Sequence, residues 1–164
     1  MTVDFAYVSK SELSALMPEM FEILYSNTGD TPFTESAFRE AFDAWYSNVF
    51  PAMQKAQRQM VGMWENGRLI GFFQYYVNDG RFMMEEIQIE KAFHGTGVFK
   101  DFFLWLLPRL PREIQWVEAY ALENNLKSCG ILTHFGLELT EKSEGVAFCH
   151  YKSDYGAFYK RFVK

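Results

Sequence analysis

The sequence has little cysteine, little proline and no surplus of positive charge, and each shortage excludes a class of protein. Cys129 and Cys149 are the only cysteines in 164 residues, too few for a disulfide scaffold, and both are expected reduced, as small buried hydrophobes. His94, His150, Cys129 and Cys149 show no metal-ligand spacing, so no metal is expected. Cys149 and His150 are strand neighbours that point to opposite faces, which also argues against their acting as a nucleophile pair. Sixteen Lys and Arg against twenty-one Asp and Glu leave a net charge of -5, the wrong sign for a nucleic-acid partner. An acidic surface favours cationic acceptors such as amines. No apolar run approaches the roughly 20 residues needed to cross a bilayer. The start, Met1-Thr2-Val3-Asp4-Phe5, lacks the basic, apolar and small-residue succession of a secretory signal. A soluble, cytoplasmic protein without a membrane partner is expected.

What is present is apolar and aromatic. Hydrophobic residues make up 49% and aromatics 18% of the chain, enough for a core that needs neither metal nor disulfide. No repeat, linker or low-complexity stretch divides residues 1–164, and a single domain is expected.

The order of elements follows from periodicity and turn chemistry. Residues 2–8 read as a strand, and Ser9-Lys10-Ser11-Glu12 as a capping box opening a helix. Leu13, Leu16, Met17, Met20, Phe21 and Leu24 give that helix one apolar face, and Pro18 should kink or split it near Met17. A loop over Tyr25–Thr34 precedes a second helix with Phe38, Ala41, Phe42, Trp45 and Val49 on one face, ended or broken at Pro51. Residues 54–59 are ambiguous between a further helical turn and a loop. From Met60 the period becomes that of a strand, and Asn66-Gly67 and Asp79-Gly80 predict two hairpins joining strands over 60–65, 69–78 and 81–90. Val98 to Leu107 reads as an apolar helix stopped by Pro108 and Pro111. A strand over 115–122, a helix over 124–135 ended by Gly136, strands over 137–142 and 146–152, and a helix over 154–163 complete an α/β pattern with a mixed sheet.

The turn His94-Gly95-Thr96-Gly97-Val98 lies between a strand and a helix. Amides at such a helix start can converge on an anion, and glycine lets a phosphate approach the backbone. The turn lacks the Gly-Lys-Ser or Gly-Lys-Thr of a nucleotide-hydrolase loop, and the third glycine of a dinucleotide fingerprint.

A meander followed by this turn resembles the GNAT acyltransferases, whose signature here is Gln or Arg, two residues, Gly, one residue, then Gly or Ala. His94, Gly95-Thr96, Gly97, Val98 and Phe99 fall on those places. The preceding Glu85-Glu86-Ile87-Gln88-Ile89-Glu90 is similar to the family's acidic-apolar strand. Asn125, Ser128, Leu132 and Gly136-Leu137 fall where the family has an Asn, a small residue, often a Tyr, and Gly-Phe. Phe99 departs from the Gly or Ala, and Leu132 from the Tyr that often protonates the leaving thiolate.

The resemblance implies a mixed, mostly antiparallel sheet of about seven strands flanked by helices, with the fourth strand splayed from the fifth. It implies transfer of an acetyl or short acyl group from acetyl-CoA to a primary amine by direct attack, without a covalent enzyme intermediate. The alternative is a non-catalytic acyl-CoA sensor or interaction module, and a homodimer is compatible with both. By resemblance the coenzyme is held by Ile87, Gln88, Ile89, His94, Gly95, Thr96, Gly97, Val98, Phe99, Lys100, Asn125 and Ser128. Glu86, and after it Glu85, is the candidate base or water-holding residue. Tyr75, Tyr76 and Phe33 are the candidate acceptor contacts. The leaving group's acid is left open between His134, Tyr120 and solvent.

Overall fold

The computed structural model describes residues 2–28, 34–142 and 148–164. The chain forms β1 (Asp4–Tyr7), α1 (Lys10–Asn27), α2 (Glu35–Met53), β2 (Arg58–Glu65), β3 (Arg68–Asn78), β4 (Arg81–Ile89), α3 (Val98–Leu106), β5 (Trp116–Leu122), α4 (Leu126–His134), β6 (Glu138–Lys142), β7 (Phe148–Asp154) and α5 (Tyr155–Phe162). The seven strands make one mixed sheet in the order β1-β2-β3-β4-β5-β7-β6. Both hairpin turns place their two central residues in the left-handed region, Asn66 and Gly67 at φ 50° and 76°, Asp79 and Gly80 at φ 50° and 75°. That conformation matches the twist of the flanking strands, which is why these dipeptides set the meander.

β4 is parallel to β5, the two being joined through α3, and their register runs from Arg81↔Trp116 to Met84↔Ala119. β5 pairs antiparallel with β7 over its whole length, and β7 with β6, where the register shifts between Leu139 and Glu141.

The chain divides into two compact units, one comprising Met1–Gln74 with Glu86–Val98, the other Tyr75–Glu85 with Phe99–Lys164. In the first, Leu13, Met17, Met20, Ile23, Met53, Met60, Leu69 and Phe72 form a buried cluster. Phe21 extends it, with ring centroids 5.2 Å from Phe38, 5.6 Å from Phe42 and 5.3 Å from Trp45. Lys10 Nζ, at the start of α1, donates to the carbonyls of Met53, Lys55 and Arg58 and so caps the end of α2; burial, then Arg58, lowers its pKa. In the second unit Phe82, Phe102, Phe103, Phe135 and Phe158 are buried, with Phe103 lying 5.1 Å from Phe135 and 5.4 Å from Phe158 between ring centroids.

Proline is where helix boundaries depart from expectation. α1 continues through Pro18 to Asn27, and α2 passes Pro51 to end at Met53. Met17, Met20 and Phe21 flank Pro18 and are buried, so core contacts offset the missing hydrogen bond. Residues 54–57 form the turn into β2, and Asp154 caps α5 rather than belonging to it, its Oδ2 accepting Ala157 N–H at 2.8 Å.

Gly71 on β3 is required sterically, since a Cβ there would stand 2.7 Å from the Gln88 carbonyl oxygen on β4. Gly71→Ala is expected to lower stability by ~1–3 kcal/mol. Gly130→Ala, in α4 where a Cβ meets nothing within 4 Å, should raise it by ~0.5–1 kcal/mol. Denaturant midpoints at unchanged slope measure both.

Candidate functional site

The turn after β4 is built from its own backbone. A single 3-10 turn over Lys91–Phe93 ends with His94 N–H donating to Lys91 O at 3.1 Å. Thr96 N–H donates to Phe93 O at 3.3 Å, and Thr96 Oγ1 to the same oxygen at 2.5 Å. Gly95 and Gly97 take φ 74° and 86°, a region closed to most side chains. The N–H groups of Gly95, Gly97 and Val98 donate to no acceptor among the described residues. A Cβ on either glycine would meet nothing within 4 Å. α3 starts at Val98, and its first amides lack intrahelical partners by construction. Converging N–H groups at the positive end of a helix form a site for an anion.

Of the main-chain donors expected near Thr96 and Gly97, that of Thr96 is spent: its amide, with its hydroxyl, turns back to Phe93, which leaves the amides of Gly95, Gly97 and Val98. Phe99 is half-buried, and its ring meets Phe135 edge-on at 5.9 Å, as part of the aromatic core of its unit. Lys100, exposed in the first turn of α3, supplies a positive charge.

The end of β4 leads into the turn in the same unit. Glu90 N–H donates to Ile70 O at 2.9 Å, so by alternation the polar groups of Ile89 and Ile87 face the opposite edge of the strand. The Ile89 carbonyl is already engaged there, by Asn27 Nδ2 at 2.9 Å and His94 Nε2 at 3.0 Å. The expectation that all of Ile87–Ile89 offers free backbone is corrected at the Ile89 carbonyl. Asn27 also donates to Gln88 Oε1 at 2.9 Å, and Gln88 Nε2 donates to Glu86 Oε1 at 2.6 Å. The chain Asn27-Gln88-Glu86 fixes the Glu86 carboxylate on the face of β4 that receives the end of α1. Glu85, half-buried, points to the other face.

Asn125 and Ser128 serve α4. Asn125 Oδ1 accepts Ser128 N–H at 3.1 Å as the helix N-cap. Leu132 is 7% exposed, a core residue with no proton to give. Tyr75 is buried with its ring edge-on to Phe82 at 5.4 Å, which makes it a core residue, while Tyr76 is half-buried. Phe33 lies outside the described residues. His134 is exposed beside Phe135.

A polar cluster in the second unit has no counterpart among the expected residues. His150 Nε2 lies 3.0 Å from Glu118 Oε1, and its Nδ1 lies 2.5 Å from Thr140 Oγ1. Tyr120 packs beside the imidazole, with centroids 4.8 Å apart. On the other face of β7, a hydrogen bond with Cys129, followed by burial, pushes the Tyr151 phenol up to about 12, so it stays protonated at neutral pH. Among the described residues no group of three His, Cys, Asp or Glu could hold a metal, and no helix is long and apolar enough to cross a membrane.

No protein-family model and no curated protein sequence matches the chain. Solved structures do. PaiA N-acetyltransferase from Thermoplasma acidophilum, in complex with coenzyme A, has a TM-score of 0.72 at 15% identity, over 94% of this chain and 100% of its own. An acetyltransferase from Thermus thermophilus gives 0.60 at 13% identity, over 94% and 97% of the two chains. The chain has the GNAT fold. The IAA acetyltransferase from Bacillus cereus shares it at a TM-score of 0.60 and 9% identity, over 93% and 99%. In this GNAT fold the parallel β4–β5 pair with its splay and the turn into α3 fall where the sequence resemblance puts them.

The left-handed glycines give a stability test. Gly97→Ala should cost ~1–2 kcal/mol from backbone strain alone. Gly97→Asn should cost less, because Asn tolerates the left-handed region. Thermal denaturation of the two variants reads the difference.

Proposed function

We propose that the chain is an N-acyltransferase that moves an acetyl or short acyl group from acetyl-CoA to a primary amine. The observation that carries this reading is the set of amides of Gly95, Gly97 and Val98 leading into α3, which donate to no acceptor among the described residues, with nothing within 4 Å of the Cβ position of either glycine. A diphosphate fits such a cradle by hydrogen bonding and by charge. That the Thermoplasma PaiA N-acetyltransferase is in complex with coenzyme A supports the choice of diphosphate. Lys100 adds a positive charge in the first turn of α3, and the Ile87 edge with the Ile89 N–H would pair with the pantetheine amides.

Acetyl-CoA supplies an activated thioester carbonyl. The chain's residues bring the amine to it, take up a proton and let the thiolate leave. Glu86 is assigned to hold the water or the amine at the reacting centre. Its carboxylate is oriented through Gln88 by Asn27, as a positioned catalytic group requires. Tyr76 is the remaining aromatic candidate for the acceptor. The acidic surface suits a cationic amine, and we place this activity in the cytoplasm, in one domain that works without metal.

Leu132 favours a second reading. A buried leucine stands where the family often has its proton donor, as expected of an acyl-CoA sensor that has lost catalysis. Thermal stability with acetyl-CoA and thiol release across a panel of amines separate the two. At about 100 times its dissociation constant the ligand should stabilise the fold by roughly 2.7 kcal/mol. Stabilisation with thiol release supports the transferase, and stabilisation alone supports the sensor. Gly97→Glu should abolish the stabilisation by setting a carboxylate against the diphosphate. Unchanged affinity in that variant would contradict the placement.

A further inference from the structure

Three side chains of one compact unit form a directed chain of hydrogen bonds that ends on Glu86. Glu86 and Gln88 are two apart on β4, so their side chains share a face of the strand. Asn27, the last residue of α1, meets that face. Its Nδ2 donates to Gln88 Oε1 and to Ile89 O, both at 2.9 Å, and Gln88 Nε2 donates to Glu86 Oε1 at 2.6 Å.

One backbone group sets the direction of this chain. A carbonyl oxygen has two lone pairs and no proton to give. That of Ile89 takes Asn27 Nδ2 on one side and His94 Nε2, at 3.0 Å, on the other. Turning the Asn27 amide over would set Oδ1 against the oxygens of Ile89 and Gln88, with both bonds lost. The amide therefore keeps its nitrogen towards β4, although its Oδ1 is then buried with no hydrogen-bond partner among the described residues. Gln88 follows the same direction. Its oxygen is taken by Asn27, so its nitrogen faces Glu86. A carboxamide nitrogen can only donate. The Glu86 oxygen that it meets must accept, and a hydrogen bond donated to a carboxylate favours the ionised form over the acid.

We infer that Asn27, acting through Gln88, fixes Glu86 as a proton acceptor and so makes it the general base of the transfer. The inference rests on the acyl transfer proposed above. Glu86 is the catalytic residue, and Asn27 and Gln88 are positioning residues. A proton passes from the ammonium of the acceptor to the Glu86 carboxylate, directly or through one water. The nitrogen keeps the electron pair that attacks the thioester carbon. The pair of the carbon–sulfur bond leaves with sulfur, and the thiolate takes a proton from solvent. The same polarity names the acceptor class: a carboxylate has only lone pairs to offer, which suits a cationic amine that brings its own protons.

A double-mutant cycle tests the chain, with the best amine from the panel and below the unfolding transition of each variant. E86Q is expected to lower kcat by about 10²-fold to 10⁴-fold. N27A and Q88M should each lower it by about tenfold to 10²-fold, with KM for acetyl-CoA unchanged because His94 still holds the Ile89 carbonyl. Adding N27A to E86Q should lower kcat no further, since a positioning residue has nothing to act on once the group it positions is gone. A merely structural Asn27 would lower both backgrounds alike. Wild-type kcat in both N27A and Q88M, or the same loss from N27A with and without Glu86, would overturn the inference while leaving the transferase intact. Side-chain amide proton spectra, assigned by loss in N27A and Q88M, give a reading independent of turnover. The Gln88 amide protons should move in E86A. If they stay in place, Gln88 presents its oxygen to Glu86 and the polarity is refuted. The expected movement in a protein that transfers to no amine would uphold the polarity and refute the transferase instead.

Discussion

Between β4 and α3 the backbone passes twice through the left-handed region within three residues, and everything proposed for the chain follows from that constraint. Gly95 and Gly97 allow it at little cost, and the amides of Gly95, Gly97 and Val98 donate to no acceptor among the described residues. Thr96, between them, turns inward and ties the loop to Phe93 through amide and hydroxyl together. The cradle is thus rigid where it meets its own chain and unpaired where it faces outward. Donors fixed before the ligand arrives need no reorganisation when it binds.

The strand leading into the turn is held just as closely. Asn27 and His94 converge on the carbonyl of Ile89, and Asn27 also reaches Gln88, which in turn holds Glu86. One carboxamide therefore sets both the entry to the cradle and the orientation of a carboxylate two side chains away. Its own Oδ1 is buried without a hydrogen-bond partner among the described residues. That cost is one a surrounding packed structure tolerates where positioning matters.

Legibility in the sequence tracked how local the determinant is. Asn66-Gly67, Asp79-Gly80 and the paired glycines of the turn were readable because each needs a backbone conformation that few residues adopt. The fold order was readable for the same reason, with amphipathic faces filling the intervals. Pro18 does not split α1, and α2 ends two residues past Pro51, because tertiary contacts of Met17, Met20 and Met53 outweigh a local defect. The fate of the Ile89 carbonyl was hidden, since its partners Asn27 and His94 approach from different elements. The hydrogen-bonded cluster of Thr140, His150 and Glu118 was hidden most completely. It joins residues 32 positions apart through strand register and a bulge, neither of which leaves a mark in composition or spacing. The one available hint was an acidic residue inside the apolar run Val117-Glu118-Ala119.

The most direct test of the cradle is amide hydrogen exchange at Gly95, Gly97 and Val98, compared between coenzyme A and pantetheine, which lacks the diphosphate. The account predicts that coenzyme A slows exchange at these three amides and that pantetheine leaves them as in the free protein. Equal exchange with and without coenzyme A, at a concentration that saturates the protein, would contradict it.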